Sequence, residues 1–281
     1  MENKYIFFPY INPKIFSMGS ISLTWYGLMY FIGFIFSLWY GKKKYVYKKF
    51  IQKRHIENLI YQCFIGLFIG GKVGYIFFYK LFYFLQNKII LLKIWSSGMS
   101  FHGGLIGVII VCFIFSKKNK IKFFKITDFI AILTPFSLGI GRLGNLMNNE
   151  LWGRVAIHSP YSFFFLGSLK NDLQELKFHP QFQEIIKKFG ALPRYPSQIF
   201  EFLLEGIILF IILNTLPKKK SGVISAFFLI YYGIFRIFIE FFREPDIDIG
   251  LLYNRYTIGQ ILSTPMIFIG IMILIKVNLK K

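Results

Sequence analysis

The sequence predicts an all-α integral membrane protein of seven transmembrane helices carrying a small extracytoplasmic head. Three observations predict it. Hydrophobic residues make up 55% of the 281 residues and aromatics 20%, a composition soluble domains rarely have. Seven stretches each supply the about 20 mostly apolar residues that cross the hydrocarbon layer. The basic residues collect in the connections rather than along one polar face, so the formal charge of +21 argues for membrane topology and against a nucleic-acid partner.

Taken in order, the predicted spans cover residues 20–41, 58–80, 95–116, 126–144, 197–216, 222–243 and 257–278 of a single membrane domain, 1–281. The connection after the first reads KKKYVYKKFIQKR, after the third KKNKIKFFK and after the fifth PKKKSG, and the chain closes on KVNLKK. These four places hold eighteen of the 34 basic residues. With seven spans they share one side, which the positive-inside rule makes cytoplasmic, so the amino terminus is expected outside and the carboxyl terminus inside. Residues 145–196 form the one outer connection long enough to fold as a head. The opening MENKYIFFPYINPK mixes prolines and charges and does not read as a cleaved signal peptide. No internal repeat of the kind that builds inverted-repeat transporters is evident.

Orientation gathers the polar residues at one depth. Tyr26 opens span one, His102 lies early in span three, and Arg142 ends span four. Gln198 and Glu201 start span five, and Arg236 and Glu240 lie near the end of span six. All fall in the outer half, while the inner halves read as almost purely apolar. Charged side chains inside a span cost several kcal/mol unless paired or facing a wet cavity. In YYGIFRIFIEFFREPD, Tyr232, Arg236, Glu240 and Arg243 recur at one-turn spacing, which alone could be a self-neutralising ion pair. Arg142 adds a second guanidinium at that depth, with Glu150 and Glu240 expected as its nearby carboxylates. Two arginines suit a phosphate through paired hydrogen bonds, and the abundant phosphate at that depth is a phospholipid head group. His102, flanked by Gly103 and Gly104, is either a satisfied structural residue or a proton acceptor. Lys72, in GLFIGGKVGY, is a weaker member that could snorkel or pair. Cys63 and Cys112 lie in apolar runs and read as small buried hydrophobes. No Cys/His ligand spacing exists, so neither a metal nor a cofactor is expected.

The segment GRLGNLMNNELWGR at 141–154 closely resembles the signature of the prolipoprotein diacylglyceryl transferase family. LTWYGLMYFIGF at 23–34, MSFHGGLIG at 99–107, YPSQIFE at 195–201 and YYGIFRIFIEFFREPD at 231–246 agree in order, so the likeness spans the chain. The resemblance implies a bacterial inner-membrane enzyme. It would move the diacylglyceryl group of phosphatidylglycerol onto the lipobox cysteine of a prolipoprotein signal peptide, drawing its substrate from the membrane lipid and releasing glycerol phosphate. Functional positions carried over by motif are Tyr26, His102, Arg142, Asn145, Glu150, Gly153, Tyr232, Arg236 and Glu240. Lys72 stands where the family pattern leads one to expect arginine, and lysine lacks the bidentate fork. On this reading Arg142, with Asn145 and Asn148, holds the phosphodiester and Arg236 stabilises the departing phosphate. Glu240 orients Arg236, Glu150 braces the signature loop, and His102 is the candidate base, with Tyr26 or Tyr232 in reserve. An anion transporter or a phospholipid phosphatase would use similar residues, but no polar path continues into the inner halves.

Overall fold

The computed structural model describes residues 6–18, 21–48, 53–79, 81–86, 99–216, 220–245, 250–252 and 255–279. The long helices are α1 (Trp25–Lys48), α2 (Lys53–Tyr79), α4 (Phe101–Asn119), α5 (Phe123–Met147), α8 (Ser197–Thr215), α9 (Val223–Ile239) and α10 (Ile258–Leu279). Short helices α3 (Leu81–Gln86), α6 (Leu169–Glu175) and α7 (Gln183–Phe189) complete the set. Among the described residues, α4, α5, α8, α10 and residues Arg54–Phe78 of α2 are long and apolar enough to cross a membrane. The helix α9 is apolar but 17 residues long. The 24 residues of α1 mix in Trp, Tyr and Lys. Large side chains such as Phe77, Phe113 and Phe268 are exposed, which water would penalise and lipid does not. The chain is therefore a multi-pass membrane protein.

The helix α5 is the axis of the bundle. Its Ile126, Phe129 and Leu133 pack with Ile56, Leu59 and Cys63 of α2 and with Cys112 and Phe115 of α4. Its Ala131 and Ile132 join a second cluster with Leu209 and Leu213 of α8, Ile224 and Phe228 of α9, and Met266 of α10. Asp128 of α5 supplies the missing cap of α9. It accepts from the Gly222 N–H at 2.7 Å, the Ser225 N–H at 2.8 Å and the Ser225 hydroxyl at 2.7 Å, satisfying orphan donors at a helix N-terminus. This buried carboxylate corrects the expectation that the lysine-rich half of the bundle is almost purely apolar.

The contact between α2 and α4 is glycine on glycine. A methyl built on Gly74 would sit 2.5 Å from Gly103 Cα, and one built on Gly107 would sit 3.0 Å from Gly66 carbonyl carbon. Small residues four apart let membrane helices approach closely where side chains would hold them apart.

Several boundaries differ from the sequence reading. Residues 21–24 are strand, not helix: β3 (Ile21–Thr24) pairs antiparallel with β2 (Lys14–Met18). The helix α1 therefore begins at Trp25, where Thr24 Oγ1 accepts from the Gly27 N–H at 3.1 Å as an N-cap. Span three begins at Phe101 behind the Ser100 cap. Residues 95–98 of its expected range, and residue 80 at the end of span two, lie outside the described residues. Helix α5 runs on through Asn145 to Met147, so Arg142 sits inside it rather than at its end. The chain is also not purely helical. A small sheet of order β1-β4-β5 joins β1 (Ile6–Phe8), parallel to β4 (Phe163–Phe165), and β5 (Pro193–Arg194), antiparallel to β4. The head thus draws on the amino-terminal residues as well as on 148–196, and Phe164, Phe165 and Leu192 form its buried centre.

The close approach of α2 and α4 carries a prediction. Gly107→Leu should force the two helices apart and cost about 1–3 kcal/mol of stability, read as a lower melting temperature of the detergent-solubilised protein. Exposed Ile110→Leu, one turn away, should leave the melt unchanged.

Candidate active site

The polar residues meet where α5, α8 and α9 approach the head. Glu201 and Glu205 project from α8 and are fully buried. Residues Phe202–Ile208 of α8 form a π-helical segment, whose wider turn brings residues four apart closer to one face. The segment can lie close to α5 because Gly206 meets Gly139, where an added methyl would stand 2.7 Å from Gly139 Cα.

Three guanidinium groups surround the two carboxylates. Glu201 Oε1 accepts from Arg236 Nη1 and, at 2.7 Å, from Arg243 Nη1, while Glu201 Oε2 lies 3.5 Å from Arg142 Nε. Glu205 Oε2 accepts from Arg142 Nη2 at 3.3 Å, and Glu205 Oε1 is 3.8 Å from Arg236 Nη1. Arg236 Nη2 pairs with Glu240 Oε1 one turn on, the i,i+4 pair expected from the sequence. Glu240 in turn fits only because Gly259 opens α10: an added methyl there would stand 2.7 Å from the carboxyl carbon. Among the described residues the cluster holds three positive and three negative groups, as several buried charges require.

This corrects the expected pairing. Arg142 is served by Glu201 and Glu205, not by Glu150 and Glu240, because α8 lies against α5 with both its carboxylates facing inward. Glu205 escaped the sequence reading altogether. A carboxylate one turn after Glu201, within the apolar run FEFLLEGIILF, was itself the signal, since an ionisable residue inside a span marks function or pairing.

Glu150 has a separate task. Its Oε1 accepts from Asn145 Nδ2 at 2.9 Å and Asn148 Nδ2 at 3.4 Å. Its backbone N–H donates to the Asn145 carbonyl at 3.1 Å, and its backbone carbonyl accepts from Gln198 Nε2 at 2.7 Å. The loop after α5 is thereby folded back on the helix. Gly153 lies between two backbones: its N–H donates to Tyr195 O at 2.8 Å, and an added methyl would stand 2.6 Å from Phe242 O. Arg154 ties the same loop to the turn after α9, through the carbonyls of Arg243 at 3.0 Å and Glu240 at 3.4 Å.

The remaining candidates divide between the surroundings of the cluster and the apolar core. Tyr26 and Tyr30 share a hydroxyl–hydroxyl hydrogen bond of 3.0 Å. Tyr232 is buried and stacked on Phe101, centroids 4.3 Å apart. His102 Nε2 is buried without a hydrogen-bond partner. Lys72 is buried on α2. Cys63 and Cys112, 4.0 Å apart, belong to the core between α2, α4 and α5. No three His, Cys, Asp or Glu side chains among the described residues gather as a metal site.

A statistical model of the family described as prolipoprotein diacylglyceryl transferase matches residues 13–276. The chain belongs to this family. Relatives called phosphatidylglycerol–prolipoprotein diacylglyceryl transferase include one from Buchnera aphidicola subsp. Acyrthosiphon pisum (strain APS), 53% identical over 99% of this chain and 100% of its own length. One from Erwinia tasmaniensis is 49% identical over 98% of this chain and 95% of its own. One from Salmonella arizonae is 48% identical over 98% and 96%. In this member of the family, the head is bolted to the site by a second buried ion cluster that the sequence reading missed. Asp172 accepts from Arg194 Nε at 2.8 Å, Ser168 Oγ at 2.6 Å and the Leu192 N–H at 2.9 Å. Arg194 Nη1 then reaches Gly153 O and Glu244 Oε2, both at 3.0 Å.

Burial pushes the Glu244 carboxyl above its ordinary range, against the pull of Arg194. A carboxyl raised in the fold stabilises it below the unfolded value of about 4.3 and loses that contribution as pH climbs through the folded value. Glu244→Gln, neutral at every pH, should therefore melt at a higher temperature than wild type at pH 7. The gap should close toward about pH 4, and a gap of opposite sign at pH 7 would show that the Arg194 pair outweighs burial.

Proposed function

We propose that this chain catalyses transfer of the diacylglyceryl group from phosphatidylglycerol to the thiol of the lipobox cysteine in a prolipoprotein signal peptide, the first step of bacterial lipoprotein maturation. The family membership supports the reaction. The observation that carries the site assignment is the Arg142–Arg236–Arg243 cluster, held among apolar helices, which this reading sets at lipid head-group depth. We place seven spans across the inner membrane with the amino terminus outside, the lysine-rich ends of α1, α4 and α10 in the cytoplasm and the head outside. The site then faces the outer leaflet.

The chemistry is a displacement at the glycerol carbon that bears the phosphate. A carbon–sulfur bond forms, the carbon–oxygen bond breaks, and glycerol phosphate leaves with the bonding pair. Arg142, less enclosed than Glu201 and Glu205, receives the phosphodiester together with Asn145 and Asn148. Arg236, oriented by Glu240, stabilises the charge on the departing phosphate. Glu150 and Gly153 keep the loop closed over the head group. The thiol, a weak nucleophile near its free pKa of about 8.5, must lose its proton. His102 Nε2, buried and free of any hydrogen bond, is the acceptor this reading assigns, with Tyr26 and Tyr232 beside the reacting groups. The nucleophile belongs to the substrate, which fits the placement of Cys63 and Cys112 in the apolar core.

Labelled phosphatidylglycerol and a lipobox peptide test the reaction directly. Label should reach the peptide only when its cysteine is present, and phosphate release without peptide would favour a phosphatase. Arg142→Lys cannot span Glu201, Glu205 and a phosphate at once, so kcat/KM should fall roughly a hundredfold. Near-normal turnover would remove the clamp role. Replacing Cys63 and Cys112 together by alanine should leave transfer per folded enzyme intact. Its abolition in a protein that still melts cooperatively would point to an enzyme thioester.

A further inference from the structure

Among the described residues, three guanidinium groups matched by three carboxylates leave the cluster no net charge with which to attract an anion. A lipid phosphate that takes the Nε and Nη2 donors of Arg142 must take the place of a carboxylate there. The three carboxylates are not equally replaceable. Glu201 is shared by Arg142, Arg236 and Arg243, so displacing it dismantles the cluster. Glu240 is locked to Arg236 and wedged against Gly259. Glu205 alone among the three has no pair closer than 3.3 Å, standing 3.3 Å from Arg142 and 3.8 Å from Arg236, whereas Glu201 and Glu240 each hold an arginine in a close pair. Its main partner, Arg142, is also the more exposed of the two arginines it meets, at 16% against 12%.

We propose that Glu205 is a resident counter-ion that occupies Arg142 in the empty site and yields it to the phosphodiester of the lipid. Glu205 is a positioning residue here: it acts through Arg142 and does not touch the reacting atoms. This rests on the lipid-phosphate reading given above and adds to it the event that admits the anion. Once the phosphate sits on Arg142, Glu205 remains fully buried beside a new negative charge, and burial of an unmatched carboxylate is far costlier than protonating it. Lipid binding therefore brings one proton from solvent onto the Glu205 carboxylate. The groups that face Glu205 and set this exchange are Arg142 on α5, Tyr232, Arg236 and Glu240 on α9, Arg243 just beyond it, and Glu201 on α8 itself. The exchange also gives selectivity, because a lipid head group without a free anionic phosphodiester, or with its own ammonium, gains less from Arg142 than it costs to release Glu205.

The test uses the full-length enzyme in phosphatidylcholine nanodiscs titrated with phosphatidylglycerol. Calorimetry in two buffers of different ionisation heat should register uptake of about one proton per lipid bound by wild type, and none by Glu205→Gln. Because that variant is neutral where Glu205 competes for Arg142, its KM for phosphatidylglycerol should drop roughly tenfold, with a smaller change in kcat. Glu201→Gln should raise KM instead. Wild-type binding without proton uptake overturns the proposal, as does unchanged or weaker lipid affinity in a Glu205→Gln protein that melts like wild type. If Glu205→Gln fails to fold, the wild-type proton count decides alone. Absence of any phosphatidylglycerol binding by wild type overturns the lipid reading and this proposal with it, whereas binding without a proton overturns this proposal only.

Discussion

The structure at the head end depends on one carboxylate shared by three arginines. Glu201 is fully buried, and it draws Arg142 from α5, Arg236 from α9 and Arg243 from the turn beyond α9 to a single point. In a medium of low polarisability each of these charges would be prohibitive alone, and removing one partner leaves the others uncompensated. The cluster therefore acts as a fixed vertex. The crossing of α5 and α8, the end of α9 and the approach of the head loop are all set relative to it. Glycines at Gly139, Gly206 and Gly259 make the approach possible by leaving room for backbone or carboxylate where a side chain would stand.

Much of this was legible in the sequence, and the reasons are physical. Long apolar runs reveal helices because a membrane imposes a length rule on each segment separately. The expectation that Tyr26, His102, Arg142, Arg236 and Glu240 share one depth came from position within those runs. The i,i+4 pairing of Arg236 with Glu240 followed from helical repeat alone. What stayed hidden was whatever depends on how helices turn about their own axes. Arg142 was matched with Glu150 and Glu240, expected at its depth, whereas its partners Glu201 and Glu205 stand on α8, at and within the π segment. Asp128 went unread within a half taken as almost purely apolar, because its partners Gly222 and Ser225 are distant in sequence.

The head was the least readable part. Its strands are two or three residues long, too short for any alternation to register against so many phenylalanines. Its central ion cluster joins Asp172, Arg194 and Glu244 across wide separations, and each alone looks like a surface charge. The contact of Arg194 with the Gly153 carbonyl joins the backbone bonds from Gly153 to Tyr195 and from Ala156 to Pro193 in making the head continuous with the signature loop. Those bonds make the loop a brace built into the site and not a lid lying over it.

The parallel pairing of β1 with β4 has a consequence for how the protein is made. Residues Ile6–Phe8 leave the ribosome more than 150 residues before their partners Phe163–Phe165. The first segment must wait, unpaired, while four long helices are inserted. Closing so long a loop is slow and comes late, so completion of the head is an act of the nearly finished chain. Any bulky extension fused before Ile6 would have to pass that waiting period without capturing the exposed strand edge for itself.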